Sequence, residues 1–521
     1  MIILGTMAGD EIGYVWLAAR YDVQAIQPLP VESRIGRRRQ TYDQAGRRLE
    51  YYTEPMRPQG TLGAHLTFAL KHEGVALEFL ARLFGVLPAE ALADWIRSEP
   101  TGQYARRAGF LYEWLTGNTL AVEGVGGNYR DALDPELYVT AATEVRRNRR
   151  WRINDNLPGT PEFCPLVRRT TSLLDARQYG IADRLAAMEG EFGTDILCRS
   201  AVWLTIKESR ASFVIEHEGQ HQDRIRRFAT AMEQYCGRLD SPLDERALSE
   251  FQSAILGTTT IRTGLRQSPV FIGSSSIDYG AVVHYVCPHW EWLPGMLEGL
   301  QCFLARTDPG EALVRAAVAS FGFVFIHPLA DGNGRISRFL VNDTLRRDGV
   351  VPEPFILPVS AAITSSAVRR AEYDRILERY SRPLMSAYRD AVDFTHERVA
   401  YADGIESDFV FNAYDEAAPV WRYPDLTEQA EYLFAIIRHT LEHEMHHQVA
   451  FQRAWYRTRE AIKDWVEGPD EHIDRMIRAI RQNGRVSGKL MKEFPVLAQA
   501  GIASELEQAV AEGFADLQDG Q

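Results

Sequence analysis

The spacing of apolar residues along the chain predicts a mainly α-helical protein. Apolar positions recur at three- and four-residue intervals over 11–21 and 66–83, and a second helical block covers 88–114. Long helical stretches are predicted over 195–394 and again over 426–460. We therefore expect helices to form the framework in every part of the chain.

One segment interrupts the helical pattern. Between residues 268 and 288, the β-prone runs Pro269-Val-Phe-Ile-Gly273 and Val282-Val-His-Tyr-Val286 flank a turn that contains glycine and serine. Two such runs around a turn of this composition predict a β-hairpin. The hairpin divides the long helical part of the chain.

The pattern suggests three regions, which we place at 1–195, 196–395 and 396–521. The first is predicted to be mixed but mainly helical, the second a helical core that contains the hairpin, and the third a helical extension. In the third, residues 473–514 suggest three short helices with Asn483-Gly-Arg485 as a turn, an arrangement that resembles a winged-helix or helix-turn-helix unit.

Charge and cysteine content narrow the classes of function. Lys and Arg total 58 against 71 Asp and Glu, a net charge of -13, which disfavours a general nucleic-acid coat or a binder of anionic membranes. The basic run Arg34-Ile-Gly-Arg-Arg-Arg39 is either a phosphate-contacting loop or a solvated basic turn, and the acidic whole favours the turn. The five cysteines have no metal-ligand spacing, and we find no signal peptide and no run near the roughly 20 apolar residues of a membrane span. We expect a cytoplasmic protein without a membrane partner.

A turn between two predicted helices holds the candidate chemistry. His327 ends an apolar helical run at 313–326, and Pro328 cannot continue that helix because it lacks an N–H. An imidazole at this point has the pKa range of a general base toward a hydroxyl. The sequence Asp331-Gly-Asn-Gly-Arg335 then turns the chain, and a new helix is predicted from about Asn333.

This turn suits a phosphate chain and a metal ion. Gly332 and Gly334 allow the backbone to approach an anion, and a helix start offers unpaired N–H groups. Spacing places Arg335 and Arg338 on the face opposite the apolar residues, where we expect them to point outward and clamp phosphate oxygens. Asp331 supplies the hard oxygen ligand that Mg²⁺ prefers.

The twelve residues from His327 to Arg338 read His-Pro-Leu-Ala-Asp-Gly-Asn-Gly-Arg-Ile-Ser-Arg. They resemble the Fic-family signature His-Pro-Phe-x-(Asp/Glu)-Gly-Asn-Gly-Arg-x-x-Arg, with Leu329 in place of the usual phenylalanine. The resemblance implies a Fic-type helical core with a β-hairpin flap, and the hairpin predicted at 268–288 lies where that flap is expected. In the family the flap pairs with the target protein by strand addition.

The resemblance also implies a reaction, the transfer of AMP from ATP to a Tyr, Ser or Thr hydroxyl of a target protein. His327 would take the proton of the hydroxyl, and Asp331 would hold Mg²⁺ on the α- and β-phosphates. Arg335 would contact the β-phosphate and Arg338 the γ-phosphate. The remaining phosphate contacts would come from Gly332, Asn333 and Gly334.

A second pattern predicts a restraint on this site. Many Fic proteins carry an inhibitory helix of the form (Ser/Thr)-x-x-x-Glu-(Gly/Asn), and Ser212-Phe-Val-Ile-Glu216 fits it, with His217 at the sixth position. Ser212 and Glu216 are four residues apart and share a helical face. We expect Glu216 to pair with Arg338 and keep it from the γ-phosphate; the alternative is an ordinary surface serine and glutamate.

Other functions stay open. The same site could remove AMP or transfer another phosphate-bearing group, and self-modification and a homodimer are both compatible with the sequence. The tail could bind DNA through its basic cluster, Arg481, Arg485 and Lys489, with the Fic core sensing nucleotide. The two His-Glu-x-x-His strings, at 217–221 and 443–447, could bind zinc as in a protease, but their surroundings favour solvated histidines.

Overall fold

The computed structural model describes residues 10–44, 47–216, 218–257, 262–276, 280–515 and 517. Helices make up 59% of the structure, and the sheets are small. The predicted class, a mainly helical protein, is confirmed.

The N-terminal region combines a helical cluster with two small sheets. Its helices are α1 (Tyr14–Tyr21), α2 (Leu62–Phe68), α3 (Leu77–Val86), α4 (Ala89–Ser98) and α5 (Gln103–Thr116). Its strands are β1 (Glu11–Ile12), β2 (Val31–Ile35), β3 (Gln40–Gln44), β4 (Arg47–Tyr52), β5 (Arg130–Asp131), β6 (Arg146–Asn148) and β7 (Ile153–Asp155). The first sheet has the order β1-β2-β4-β3, with β2 parallel to β4, and the second has the order β5-β7-β6.

The N-terminal region agrees with its expected mixture of helices and other structure, with one correction. The continuous helix expected over 66–83 breaks at residues 74–76. The basic run at 34–39 forms the end of β2 and the turn into β3, and Arg39 bonds to Glu50 of β4. The strands were missed in the sequence because charged and polar residues dominate them; Glu50 of β4 forms ion pairs with Arg48 of its own strand and with Arg39 of the turn before β3.

The middle of the chain is a helical core with one hairpin. Its helices are α6 (Thr171–Gln178), α7 (Ile181–Phe192), α8 (Thr194–Ile215), α9 (Gln222–Tyr235), α10 (Glu245–Leu256), α11 (Leu293–Arg306), α12 (Ala312–Ile326), α13 (Asn333–Arg347), α14 (Val359–Thr364) and α15 (Ala367–Tyr388). The predicted hairpin is present as β8 (Phe271–Ser276) paired antiparallel with β9 (Gly280–Val286). We call this hairpin the flap.

The C-terminal part begins with a hairpin that the sequence did not predict. Strands β10 (Val392–Ala400) and β11 (Glu406–Phe411) pair antiparallel where the predicted helical extension begins. The helices that follow are α16 (Tyr414–Arg422), α17 (Thr427–His439), α18 (His446–Lys463), α19 (Asp470–Asn483), α20 (Gly488–Glu493) and α21 (Ile502–Gly513). A π-helical segment, Thr440–Met445, joins α17 to α18, so the helical stretch expected over 426–460 is continuous.

The tail contains the three expected helices, α19 to α21, and Gly484 ends α19 in a left-handed conformation. The described residues after 411 contain no strand, so nothing in that part of the chain forms the wing of a winged-helix unit. The helical half of that expectation is confirmed.

Three large hydrophobic clusters organise these elements. One fills the N-terminal region, one the tail, and the largest surrounds α12 and α13 and also takes in α6 and α7. The boundaries placed at 195 and 395 stay predictions. Among the described helices, the segment 309–326 is the one long and apolar enough to cross a membrane by length and composition, and 83% of it is buried inside the fold.

Candidate active site

His327 lies directly after the buried helix α12, in a strained backbone conformation. Its φ of 49° and ψ of 58° are left-handed, and its N–H donates to the Phe323 carbonyl at 2.9 Å, which ends the helix. Pro328 then leads the chain into a turn, where Leu329 forms an isolated antiparallel bridge with Leu265. Leu329 is fully buried and anchors the turn in the core.

The His327 ring is oriented by its own helix. Its Nδ1 lies 3.3 Å from the Val324 carbonyl, and because a carbonyl can only accept, the proton of the neutral ring belongs on Nδ1. The Nε2 lone pair is then free to take a proton from a hydroxyl. Burial, with a smaller contribution from the nearby Arg266, lowers the pKa of His327 to about 4, so the ring is neutral at physiological pH.

The start of α13 provides the anion-binding geometry. Gly332 caps the helix with a φ of 91°, which glycine adopts readily. The first N–H groups of a helix have no partner within it and carry the positive end of its dipole. This helix start follows five residues after His327.

The Asn333 side chain closes the turn. Its oxygen accepts from the Leu329 N–H at 2.9 Å, and its amide donates to the Leu329 carbonyl at 2.7 Å. The side chain was expected to cradle phosphate; here it is buried and fixes the backbone of the turn. Its contribution to anion binding is the shape of the loop and its own backbone N–H.

Asp331 fits the role of a magnesium ligand. Its carboxylate is 54% exposed, and Oδ1 accepts from Arg335 Nη2 at 3.0 Å. Gln252 donates to the Asp331 carbonyl at 2.8 Å and holds the residue in place. The described residues contain no cluster of three or more His, Cys, Asp or Glu arranged for a metal, but Mg²⁺ beside a nucleotide needs only one or two carboxylates plus phosphate oxygens.

Both arginines of the motif are buried, which corrects the expectation that they point outward. Arg335 is 1% exposed and Arg338 4% exposed. Arg335 lies over the Phe213 ring, 4.9 Å from its centroid, and Glu218 is 3.2 Å from its Nη1. The burial is possible because α8 and the turn after it supply acidic and aromatic partners, which a helix considered alone does not reveal.

Arg338 is bound to the end of α8 by three hydrogen bonds. Its Nε donates to Ser212 Oγ at 2.8 Å, and its Nη2 donates to the Ser212 carbonyl at 3.1 Å and to Glu216 Oε1 at 2.7 Å. Burial alone would raise the pKa of Glu216, but the adjacent Arg338 guanidinium outweighs this and holds it below its ordinary value. Ser212, Glu216 and Arg338 therefore meet as an ionised cluster.

The Glu216 carboxylate also covers the start of α13. A Cβ built on Gly334 would lie 2.1 Å from Glu216 Oε1, so the carboxylate rests against the bare backbone of that glycine. An acidic group thus occupies the place that the helix start and the two arginines would offer to a phosphate. His217, the next residue in the inhibitory pattern, lies outside the described residues.

Two residues around the site were not predicted from the sequence. Glu208, two turns before Glu216 on α8, accepts from the N–H and the hydroxyl of Ser360 at 2.7 and 2.5 Å, and burial raises its pKa to about 7. Arg266 donates to the His327 carbonyl at 2.8 Å. Glu208 shares its helical face with Ser212, a spacing that could have indicated a buried polar stripe, whereas no motif marks Arg266.

Of the residues set aside as alternatives, Glu218 of the first His-Glu-x-x-His string lies in the site, where it pairs with Arg335. In the second string, the ring centroid of His443 is 4.7 Å from that of His439, and His446 is 3.2 Å from Glu191. Of the basic residues of the tail, Arg481 lies over the Phe451 and Phe514 rings.

The profile of the Fic/DOC family matches residues 242–345, which run from α10 to the end of α13 and include the flap and the His327 turn. This chain carries a Fic domain. The flap and the turn described above therefore belong to that Fic domain, whereas α8, with Ser212 and Glu216, lies before the matched residues.

Curated relatives match a short part of this chain. The chain is 44% identical over 66 residues to "Protein adenylyltransferase fic-1" of Caenorhabditis briggsae and to the protein of the same name of Caenorhabditis elegans. Each match covers 13% of this chain and 10% of the relative, so the chain spans about a tenth of their length.

Two solved structures are similar to the chain. A Fic family protein from Desulfovibrio desulfuricans has a TM-score of 0.35 at 21% identity, over 67% of this chain and 91% of that one. A Fic domain containing signaling protein from Bacteroides thetaiotaomicron has a TM-score of 0.32 at 16% identity, over 52% of this chain and 96% of that one.

Proposed function

We propose that this protein is a protein adenylyltransferase that moves AMP from ATP to a Tyr, Ser or Thr hydroxyl, and that Glu216 restrains it. The observation that carries the proposal is the place of Glu216: its carboxylate holds Arg338 at 2.7 Å and lies on the helix start that follows His327. An internal anion at this point indicates a site built for an external one. The curated relatives named above are adenylyltransferases, which agrees with this choice.

His327 serves as the general base. The target hydroxyl oxygen forms a bond to the α-phosphorus of ATP while the bond from that phosphorus to the bridging oxygen breaks, and pyrophosphate leaves. The hydroxyl proton passes to Nε2 of His327, which is free because Nδ1 faces the Val324 carbonyl. AMP remains on the target.

The first turn of α13 and its arginines hold the phosphate chain. Backbone N–H groups at Gly332, Asn333 and Gly334 face the charge that develops on the phosphate, and Arg335 and Arg338 bind the β- and γ-phosphates. Nε of Arg335 is buried without a hydrogen-bond acceptor among the described residues, and Nη1 has the ion pair with Glu218 but no aligned hydrogen bond. The unpaired Nε donor suits an anionic ligand, because an unpaired buried donor is costly.

Asp331 would hold Mg²⁺ against the α- and β-phosphates. When bound, the ion would offset phosphate charge that the protein's own donors do not reach. The exposed carboxylate of Asp331 and its fixed backbone fit this role.

The flap would receive the target protein. Ile272 of β8 and Val282 of β9 are 41% and 42% exposed, which is unusual for large apolar residues on a two-stranded sheet. An extended target segment that pairs with the flap would cover them and present its hydroxyl to His327. Self-modification is the simplest case, in which the target is this chain. We place the reaction in the cytoplasm.

The reaction is tested by intact-mass spectrometry of the Glu216→Gly variant, incubated with Mg²⁺ and each nucleoside triphosphate in turn. We expect a mass increase of one AMP with ATP. The same variant with His327→Ala added is the matched control, and we expect it to stay unmodified. Omitting Mg²⁺ or replacing Asp331 by asparagine should lower the yield.

Each other outcome has a definite meaning. No adduct with any nucleotide, from a folded Glu216→Gly protein, would contradict the proposal. An adduct from a different nucleotide would replace AMP as the transferred group. Release of AMP from a modified protein by the wild type, and not by Glu216→Gly, would favour removal of AMP over its addition.

A further inference from the structure

Arg266 is a buried cation that the proposed reaction does not use. It is 2% exposed, and no carboxylate among the described residues lies within ion-pair distance of it. Burial lowers the pKa of Arg266, which reflects the cost of its position. A side chain kept buried at such a cost needs a structural or functional reason.

The guanidinium of Arg266 binds three backbone carbonyls that belong to different segments. Nε donates to His327 at 2.8 Å, Nη1 to Ser268 at 3.0 Å and Nη2 to Pro288 at 2.6 Å. The backbone N–H of Arg266 also donates to the Pro328 carbonyl at 2.9 Å. Ser268 precedes the first flap strand and Pro288 follows the second, so one planar group joins both ends of the flap to His327.

The hairpin of β10 and β11 holds this arrangement from outside. Asp403, in the turn of that hairpin, accepts from the Gln267 N–H at 2.8 Å and from Ser268 Oγ at 2.7 Å. Phe271 of the flap packs on Phe394 and Phe409 of the same hairpin, with ring centroids 5.5 and 4.7 Å apart. The base of the flap is therefore clamped on two sides.

We propose that Arg266 is a positioning residue that sets the distance between the flap and His327, and so aligns a hydroxyl carried by a flap-bound segment with the His327 ring. The inference rests on the proposed function for its purpose. Its physical core, a rigid link between flap and His327, can be measured without that reaction. The planar fork of arginine suits this role, because lysine cannot bind three carbonyls in fixed directions.

The charge of Arg266 has a second effect on His327. The charged groups that face the His327 ring are Arg266 from the segment before the flap and Glu216 from the end of α8, together with the Val324 carbonyl dipole. Arg266 disfavours the imidazolium and Glu216 favours it. Arg266 thus helps to keep the ring in the form that accepts a proton.

The link is tested with Arg266→Lys and Arg266→Gln. By hydrogen exchange, we expect the amides of β8 and β9 to exchange faster in both variants. By NMR of the histidine ring, we expect the pKa of His327 to rise in Arg266→Gln and to change little in Arg266→Lys, which keeps the charge. In the Glu216→Gly background we expect kcat of self-modification to fall about 10- to 100-fold, with KM for ATP unchanged.

Arg306 is the matched control. It is also buried, at 7% exposure, and it donates to the backbone carbonyls of Gly159, Glu144 and Asp155, away from the flap. Arg306→Lys should cost similar stability and leave flap exchange and the His327 pKa unchanged. The milder Asp403→Asn should speed exchange at the flap base without changing the His327 pKa.

The outcomes separate this inference from the proposed function. Unchanged flap exchange in a folded Arg266→Lys protein would overturn the inference, as would equal changes in Arg306→Lys. If Arg266→Lys fails to fold, unchanged exchange at the flap base in Asp403→Asn overturns it. If no AMP transfer is found but both physical readouts move as expected, the link stands and the reaction does not.

Discussion

Two glutamates on the buried face of α8, Glu208 in the helix and Glu216 just after its end, have pKa values shifted in opposite directions. Glu216, at the C-terminal end, meets the Arg338 guanidinium, and its pKa is held below the ordinary value. Glu208, two turns earlier, is 1% exposed and accepts hydrogen bonds from Ser360, and burial raises its pKa to about 7. The presence or absence of a charged partner, rather than the position on the helix, determines the direction in which the pKa of each carboxylate shifts.

The two carboxylates of α8 therefore have different roles: Glu216 holds Arg338, and Glu208 stabilises the packing of the helix. Glu216 lies where the helix ends, with 30% of its side chain exposed, and an incoming phosphate chain could displace it. Glu208 ties the middle of the helix to the start of α14 through two hydrogen bonds. Loss of the Glu216 carboxylate should change activity, and loss of the Glu208 carboxylate should change stability.

The largest effect is expected from Glu216→Gly. A hydrogen bond between charged groups is worth about 1.5–3 kcal/mol, so its loss should raise the rate of self-modification about 10- to 100-fold. Glu208→Gln, whose amide can accept from the Ser360 N–H and donate to the Ser360 hydroxyl oxygen, should change that rate by less than about threefold. Incorporation of labelled AMP over time measures both, and equal activation by the two variants would erase the distinction.

Glu208→Ala should lower the free energy of unfolding by a similar amount. The N–H and hydroxyl of Ser360 would lose their acceptor and a buried cavity would form, at a cost of about 2–4 kcal/mol. Glu216→Ala should cost less stability than Glu208→Ala, because Arg338 keeps its two hydrogen bonds to Ser212. Differential scanning calorimetry under one set of conditions gives the two Tm values, and a larger loss in Glu216→Ala would reverse the assignment.

The two carboxylates should also differ in their dependence on pH. The pKa of Glu208 rises from 4.5 to about 7 on folding, so between these values the folded state keeps a proton that the unfolded state has released. Stability from this group therefore falls as pH rises from about 4.5 to 7. Glutamine does not titrate. The Tm of Glu208→Gln relative to wild type should therefore increase by a few degrees between pH 5 and pH 8.

Glu216 supplies the control for that measurement. Its pKa is lowered on folding, so its contribution is complete above the ordinary value and is lost only as pH falls through the lowered one. The Tm of Glu216→Gln relative to wild type should stay constant between about pH 5.5 and 8. A matching increase in both variants would show that another group titrates.

The smallest effect is expected from Ser212→Ala. The variant loses the hydroxyl that accepts from Arg338 Nε, but the Ser212 carbonyl and Glu216 still hold Nη2. A loss of about 0.5–1.5 kcal/mol should raise self-modification about two- to tenfold, below the effect of Glu216→Gly. Activation above that of Glu216→Gly would make the serine, not the glutamate, the main restraint.

How far the sequence predicts this molecule depends on how local each feature is. The turn from His327 to Asn333 was foreseeable because proline, glycine and the helix start act within a few residues. Ser212 and Glu216 were foreseeable because they fit the inhibitory pattern that the Fic resemblance implies, and their spacing of four places them on one helical face. The burial of Arg335 and Arg338 was not, because their partners lie on α8 and in the turn after it, more than a hundred residues away.

Features built from distant segments were missed for the same reason. Arg266 joins residues 268, 288 and 327, and none of these contacts has a sequence period. The sheet of β2, β3 and β4 and the β10–β11 hairpin lack regular apolar alternation, since their strands are largely exposed or paired through charges. Patterns that rest on one buried face detect helices here better than strands.

The bare backbone of Gly334 has a consequence for genetics. Any side chain at this position would meet the Glu216 carboxylate, since even a Cβ would be 2.1 Å from it, and would equally meet a phosphate bound in its place. A substitution there cannot lift the restraint and keep the nucleotide. In a selection for hyperactive alleles, substitutions should therefore be recovered at the C-terminal end of α8 and be absent at residue 334, where only loss of function is available.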